Sequence, residues 1–166
     1  MNDTTSSPTP NTQHPTPPIT VAVGAIVTHG EQILLIQRGH PPGEGRWTIP
    51  GGRVEVDEAL PEAVRREIQE ECGIVVEPGQ PAIMLDRLLR DERGALVAHY
   101  LIVDFWATAV GPERPTVAAS SDARAAGWFT MEEIRRLPTT LNLLSYLEEA
   151  FRRRDTGGCL VVADND

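Results

Sequence analysis

Glu67, Glu70 and Glu71 bring three carboxylates into five consecutive residues, within the run Arg66-Glu67-Ile68-Gln69-Glu70-Glu71. On a helix, positions i, i+3 and i+4 are neighbours, so the three like charges repel one another. Hard oxygen donors at that spacing suit a divalent cation such as Mg²⁺, with Mn²⁺ able to stand in its place. A metal held there is suited to chemistry on phosphate. A run of Glu on a helix can equally be a solvated face, and the two readings separate by angle. With Glu67 at zero and about 100° per residue, Glu71 falls near 40° and Glu70 near −60°. On the same projection Leu60, Val64 and Ile68 fall at about 20°, 60° and 100°, while Arg65, Gln69, Glu62 and Arg66 occupy roughly 160° to 260°. The glutamates therefore overlap the apolar stripe that docks on the rest of the fold. A carboxylate there is costly unless it is paired or bound to metal.

The helix that carries these residues is expected from about Leu60 to Cys72, with Gly73 as its left-handed C-cap. Ala59 takes the N-cap position without a capping side chain, Pro61 is tolerated in the first turn, and Glu62 favours the N-terminal dipole. Before it, Ile19 to Thr28 is an apolar, β-branched strand, His29 to Gln32 a turn, and Ile33 to Gln37 a second strand. Gly39 to Gly45 is a loop, and Trp47 to Pro50 leads into Gly51-Gly52. After the helix, Ile83 to Arg90 and Ala98 to Val110 flank a hairpin-like turn at 91–94, and 111–122 is an irregular loop. Ala125 to Phe129 is a short strand, and Met131 to Leu137 and Asn142 to Arg154 are helical. Strands, helix, strands and helices in that order predict an α/β chain with a mixed sheet and helices packed on it.

The chain has 166 residues, 40% of them hydrophobic, enough for one domain with a real core. No apolar run is long enough to cross a membrane. Residues 1–18 are rich in Pro, Thr and Ser and read as a disordered tail without the pattern of a secretory signal. The domain is expected over 19–154, with 155–166 a flexible C-terminal tail. The two cysteines, Cys72 and Cys159, are too few for a disulfide framework or a zinc site, which fits a reducing cytoplasm. A net charge of −9 argues against tracking nucleic acid and requires metal ions and a few arginines to receive an anionic substrate.

Gly52, then Glu58, then Arg66-Glu67-Ile68-Gln69-Glu70-Glu71-Cys72-Gly73-Ile74 resembles the Nudix box at every defining position. The approach Gly45-Arg46-Trp47-Thr48-Ile49-Pro50-Gly51-Gly52 is similar to that of the family. The resemblance implies an α/β/α sandwich with a mixed sheet, and hydrolysis of a nucleoside diphosphate linked to another group. It implies Glu67, Glu70 and Glu71 as metal ligands with the Gly51 carbonyl, Arg66 as the residue that positions the glutamates, and Glu58 as a support of the metal site. Glu67 or Glu71 would accept a proton from the attacking water. In some relatives a loop carboxylate does so, for which Glu113 and Asp122 are the candidates. Arg38 and Arg53 are candidates to reach phosphate, and Trp47 to stack on a base, against plain surface and packing roles. Val21-Ala22-Val23-Gly24-Ala25 and Asp122 to Phe129 resemble the small bacterial ADP-ribose pyrophosphatases, although Ala125 stands where many of these carry an acid and Asp57 where Gly often precedes the box glutamate. ADP-ribose cleaved to AMP and ribose 5-phosphate is the leading expectation. A MutT-type nucleoside triphosphate pyrophosphatase and a non-catalytic nucleotide sensor are the alternatives. Many relatives are dimers, so a homodimer is expected on the resemblance.

Overall fold

The computed structural model describes residues 16–111, 115–118 and 123–164. In chain order its strands are β1 (Ile19–His29), β2 (Gln32–Arg38), β3 (Trp47–Thr48), β4 (Gly51–Arg53), β5 (Val76–Arg90), β6 (Leu96–Ala109), β7 (Ala123–Thr130) and β8 (Leu160–Asp164). The helices are α1 (Leu60–Cys72), α2 (Met131–Ile134) and α3 (Leu143–Arg154). All eight strands belong to one mixed sheet, in the order β3-β2-β1-β6-β5-β8, with β4 paired to β1 and β7 to β2.

β1 is the spine of the sheet. It pairs in parallel with β6 from Ile19 opposite His99 to Thr28 opposite Thr108. Its other edge is shared: β4 takes Ala22 to Gly24, and β2 takes only Thr28 and His29 at the hairpin. β2 then diverges and runs antiparallel to β7. The division of β1 between two partners leaves room for the chain that enters α1.

Alternation along the strands makes two cores. Val23, Ala25, Val27, Val103 and Phe105 pack with Ala63, Val64, Ile68 and Cys72 of α1. Ile26, Ile33, Leu35 and Trp106 pack with Leu143, Leu147 and Ala150 of α3. The result is the mixed sheet with packed helices that the order of elements predicts, arranged as the α/β/α sandwich that the resemblance implies. Trp106 is buried in the second core and Trp128 packs against the first.

Three sequence-based expectations are corrected. The tail expected to be flexible over 155–166 contains β8, which runs parallel to β5 from Leu160 opposite Ile83 to Asp164 opposite Arg87. Leu160 and Val162 join the second core, which offsets the ordering cost of the segment. β5 begins at Val76 rather than Ile83, because its early part pairs with β6 through register shifts around Pro78 and Pro81. Those prolines and Gly79 hide the strand in the sequence. α2 stops at Ile134, short of Leu137.

Candidate active site

α1 starts and stops as its sequence dictates. Ala59 is the N-cap with no side-chain cap, and its N–H donates instead to the Glu62 carboxylate at 3.1 Å. Gly73 closes the helix at φ 70°, its N–H donating to the Gln69 carbonyl. Asp57, in the turn before α1, sits at φ 64° in the left-handed region that favours glycine. The residue that departs from the family's usual glycine thus adopts a glycine-like backbone conformation.

Within α1, Ala63, Val64, Ile68 and Cys72 are buried. Glu67 lies beside them with a side chain only 13% exposed, while Glu70 is 59% exposed. The angular reading is thus right for Glu67 and overstated for Glu70, which projects from the rim of the stripe into solvent. Burial pushes the Cys72 thiol up to about 12, so at neutral pH it is a small core residue rather than a nucleophile.

Two glycines seat the acids. A Cβ on Gly51 would fall 2.2 Å from the Val23 carbonyl oxygen, and its φ of 154° is one that side chains rarely adopt. A Cβ on Gly52 would fall 2.4 Å from Glu67 Oε1, so the Glu67 carboxylate occupies the space that a side chain would need. The Gly51 N–H donates to Glu71 Oε2 at 2.8 Å. β4 and α1 are thereby joined through the acids themselves.

Arg66 organises the rest. Its Nε and Nη2 grip the two Glu58 oxygens at 2.8 and 2.9 Å, a bidentate pair. Nη2 also donates to the Arg53 carbonyl at 2.9 Å, and Nη1 to Glu67 at 2.8 Å and Glu70 at 3.3 Å. Arg66, and then the Glu55 N–H, hold the Glu58 carboxyl down to about 2. The same partners raise the Arg66 pKa, Glu58 first and Glu67 next. One guanidinium thus faces Glu58, Glu67 and Glu70, with Glu71 beside them on Gly51. The negative charge is in excess, and the exposed oxygens are hard donors.

Among the described residues no three acidic, histidine or cysteine groups converge into a ready cage for metal. The donors fit an ion that keeps several waters and takes one or two carboxylates together with substrate phosphates, as Mg²⁺ does. The seat at Gly52, which a Cβ would fill, holds one such carboxylate in place.

The other predicted residues are dispersed. Arg38 Nε donates to the Pro42 carbonyl at 2.7 Å within the Gly39–Gly45 loop. The Arg53 side chain is exposed at the end of β4, and its carbonyl is the part that meets Arg66. The Trp47 ring packs edge-on against Phe129 at 4.8 Å. His99 pairs with Asp86. Glu113 and Asp122 lie outside the described residues.

One residue escapes the sequence reading. Asp104 on β6 is 5% exposed, in the middle of the sheet on the α3 face. A Cβ on its strand partner Gly24 would fall 2.3 Å from Asp104 Oδ1. Its sequence signal is a lone acid inside the apolar run Tyr100-Leu101-Ile102-Val103-Asp104-Phe105-Trp106.

Comparison with known proteins agrees with this geometry. The NUDIX domain family profile matches residues 18–149. The ADP-ribose pyrophosphatase of Methanocaldococcus jannaschii is 34% identical over 117 residues, covering 70% of this chain and 65% of that protein. The mouse 8-oxo-dGDP phosphatase NUDT18 is 31% identical over 122 residues, covering 73% of this chain and 34% of that protein. The chain therefore spans less than two thirds of the length of these relatives. The crystal structure of a MutT protein from Methanosarcina mazei matches with a TM-score of 0.69 at 25% identity, over 86% of this chain and 99% of that one. With the box acids seated on Gly51 and Gly52 and the profile running from β1 into α3, this chain belongs to the NUDIX family.

Proposed function

We propose that the protein is a Mg²⁺-dependent hydrolase that cleaves the diphosphate linkage of a nucleoside diphosphate derivative, with ADP-ribose as substrate and AMP and ribose 5-phosphate as products. The observation that carries this reading is the Arg66 network: a single guanidinium that fixes Glu58, Glu67 and Glu70 beside Glu71, which is itself held on Gly51 N–H. A binding module without chemistry would have no need to hold that many carboxylates around one arginine.

Glu67, Glu70, Glu71 and the Gly51 carbonyl are the groups that would hold the ion. Mg²⁺ bound there would neutralise the diphosphate and acidify the attacking water. Glu67 or Glu71 accepts the proton as the water oxygen bonds to phosphorus and the bridging P–O bond breaks. Glu113 and Asp122 are the alternative acceptors. Arg66 offsets the repulsion among Glu58, Glu67 and Glu70 and fixes the half-buried pair Glu58 and Glu67, while Glu70 stays exposed. Arg38 and Arg53 are candidates to meet phosphate, each after a rotation of an exposed or half-exposed side chain.

The choice of ADP-ribose is supported by the archaeal relative of that name. A MutT-type activity on nucleoside triphosphates is the second reading, supported by the structural likeness to a MutT protein. Incubation with Mg²⁺ and a panel of ADP-ribose, NADH, dinucleoside polyphosphates and nucleoside triphosphates separates them. AMP with ribose 5-phosphate supports the first reading, and a nucleoside monophosphate with pyrophosphate the second. Tight binding without turnover of any of them refutes both and leaves a sensor.

A further inference from the structure

The C-terminal end of α3 borders a cleft that the box does not use. It has a volume of about 390 Å³ and lies between Glu77 to Gln80 of β5, Trp106 and Thr108 of β6, and Arg154 of α3. Trp106 belongs to the core under α3, whereas the box glutamates are carried by α1 on the other face, so the sheet separates the cleft from the box. β8 pairs with β5 only from Ile83 onward, so the cleft opens at an uncovered edge of the sheet. The ladder with β6 is irregular between Pro78 and Pro81, and Gly79 and Gln80 stand outside its register. Sites for small organic ligands span about 300–1,000 Å³, so the cleft has room for more than a bare ion.

Arg154 differs from its neighbours in how its charge is met. Arg152 and Arg153 both pair with Glu149. Arg154 has no carboxylate partner among the described residues, although the chain carries a net charge of −9. Its guanidinium instead lies 4.6 Å from the centroid of the Trp106 ring and 6.0 Å from that of Phe151. A cation in the last turn of a helix complements the dipole, and a guanidinium over an indole is favourable in itself. Those effects account for the position of Arg154. They do not account for an open cleft with two further hydrogen-bonding side chains, Thr108 and Gln80, in its wall. Stacking also restricts the guanidinium, which lowers the ordering cost of receiving a ligand. The acid at the rim, Glu77, is bound to Arg65 at 2.7 Å, which offsets its charge.

We infer that this cleft binds a small organic phosphate, with Arg154, Thr108 and Gln80 as the donors. The planar fork of a guanidinium matches phosphate oxygens. A hydroxyl and an amide supply donors from other directions, which suits a tetrahedral group better than a planar carboxylate. The site is independent of the hydrolase reading of the box.

The test is a titration of the full chain, without added divalent metal, followed by calorimetry and by the assigned indole N–H resonance of Trp106. The probes are ribose 5-phosphate, AMP and, at matched ionic strength, acetate. At least one of the two phosphates is expected to shift the resonance saturably with a Kd of about 1 mM or tighter, and acetate is not. Arg154→Gln is expected to weaken phosphate binding about tenfold or more, and Thr108→Val severalfold. Arg152→Gln, which removes the same charge from the same turn, is expected to leave it unchanged. The proposal is overturned if neither phosphate shifts Trp106 saturably, or if acetate binds as well as they do. It is equally overturned if Arg152→Gln weakens binding as much as Arg154→Gln, since the attraction is then only the general charge of the helix end. Thr108→Val keeps the size of the side chain and decides the matter if Arg154→Gln is unstable: normal binding there overturns the proposal. Wild type that turns over none of the nucleotide panel, yet binds phosphate at Arg154, sinks the activity and not this site.

Discussion

The two faces of the sheet treat their acids in opposite ways. On the α1 face, Glu58, Glu67 and Glu70 all lie within reach of Arg66, and Glu71 has the Gly51 N–H. On the α3 face, Asp104 is more deeply buried and has no compensating charge among the described residues. The pairing holds Glu58 down to about 2, while burial pushes Asp104 up to about 7. Near neutral pH the paired Glu58 is therefore ionised, and Asp104 is the acid whose charge burial opposes.

The contrast is broken most severely at Glu71. Glu71→Gln keeps the shape of the side chain but removes a charge and a proton acceptor, and is expected to lower kcat by roughly three orders of magnitude or more. Circular dichroism and the melting temperature should stay close to wild type. Near-normal turnover would show that Glu71 is not part of the chemistry. Next in size is Arg66→Lys, which cannot grip Glu58 with two bonds and reach Glu67 at the same time. A loss of roughly 100-fold in kcat/KM is expected, with stability lowered by about 2 kcal/mol in urea titration, since several half-buried carboxylates lose their partner. Full activity in this variant would mean that the network is only structural.

The acid pair also differs in pH dependence. The folded-state pKa of Glu58 lies below its ordinary 4.5, so its contribution to stability is complete above that value and is lost as pH falls toward about 2. That of Asp104 lies above its ordinary 3.8, so its contribution is complete below 3.8 and is lost as pH rises through about 7. Asp104→Asn removes only the second dependence. Denaturant titrations should show the variant gaining on wild type between pH 4 and pH 7 and no further above that. A difference that is flat with pH would mean that Asp104 is already compensated.

The smallest effects concern the entrance to α1. Ala59→Ser supplies the missing cap and should add about 1 kcal/mol, or roughly 2–4 °C in melting temperature for a domain of this size. Asp57→Gly relieves the left-handed backbone at φ 64° and should add about as much or somewhat less. An unchanged or lower melting temperature in both would show that the turn is held by contacts other than those described.

How much of this was legible in the sequence follows from the kind of signal each part leaves. The box was legible because its spacing is long and each residue type in it has a separate physical duty. α1 was legible to the residue, through Pro61, Gly73 and the apolar period. Glu70 was misplaced because a helical angle locates a Cβ, and a long side chain at the rim of the stripe turns outward toward Arg66 and water. β8 was missed because Leu160 to Asp164 is short, follows Gly157-Gly158, and is a strand only by virtue of the β5 edge far away in the sequence. Asp104 was missed because an apolar run reads as strand whatever single residue interrupts it. Its room in the sheet comes from its strand partner Gly24, a pairing that only the register of β1 with β6 reveals.

The most direct test is to quantify AMP and ribose 5-phosphate released from ADP-ribose by the wild-type protein, with Mg²⁺ and again after chelation. Equimolar AMP and ribose 5-phosphate with the metal, and none after chelation, is the predicted result. Intact ADP-ribose in the presence of Mg²⁺, or cleavage that persists after chelation, would contradict it.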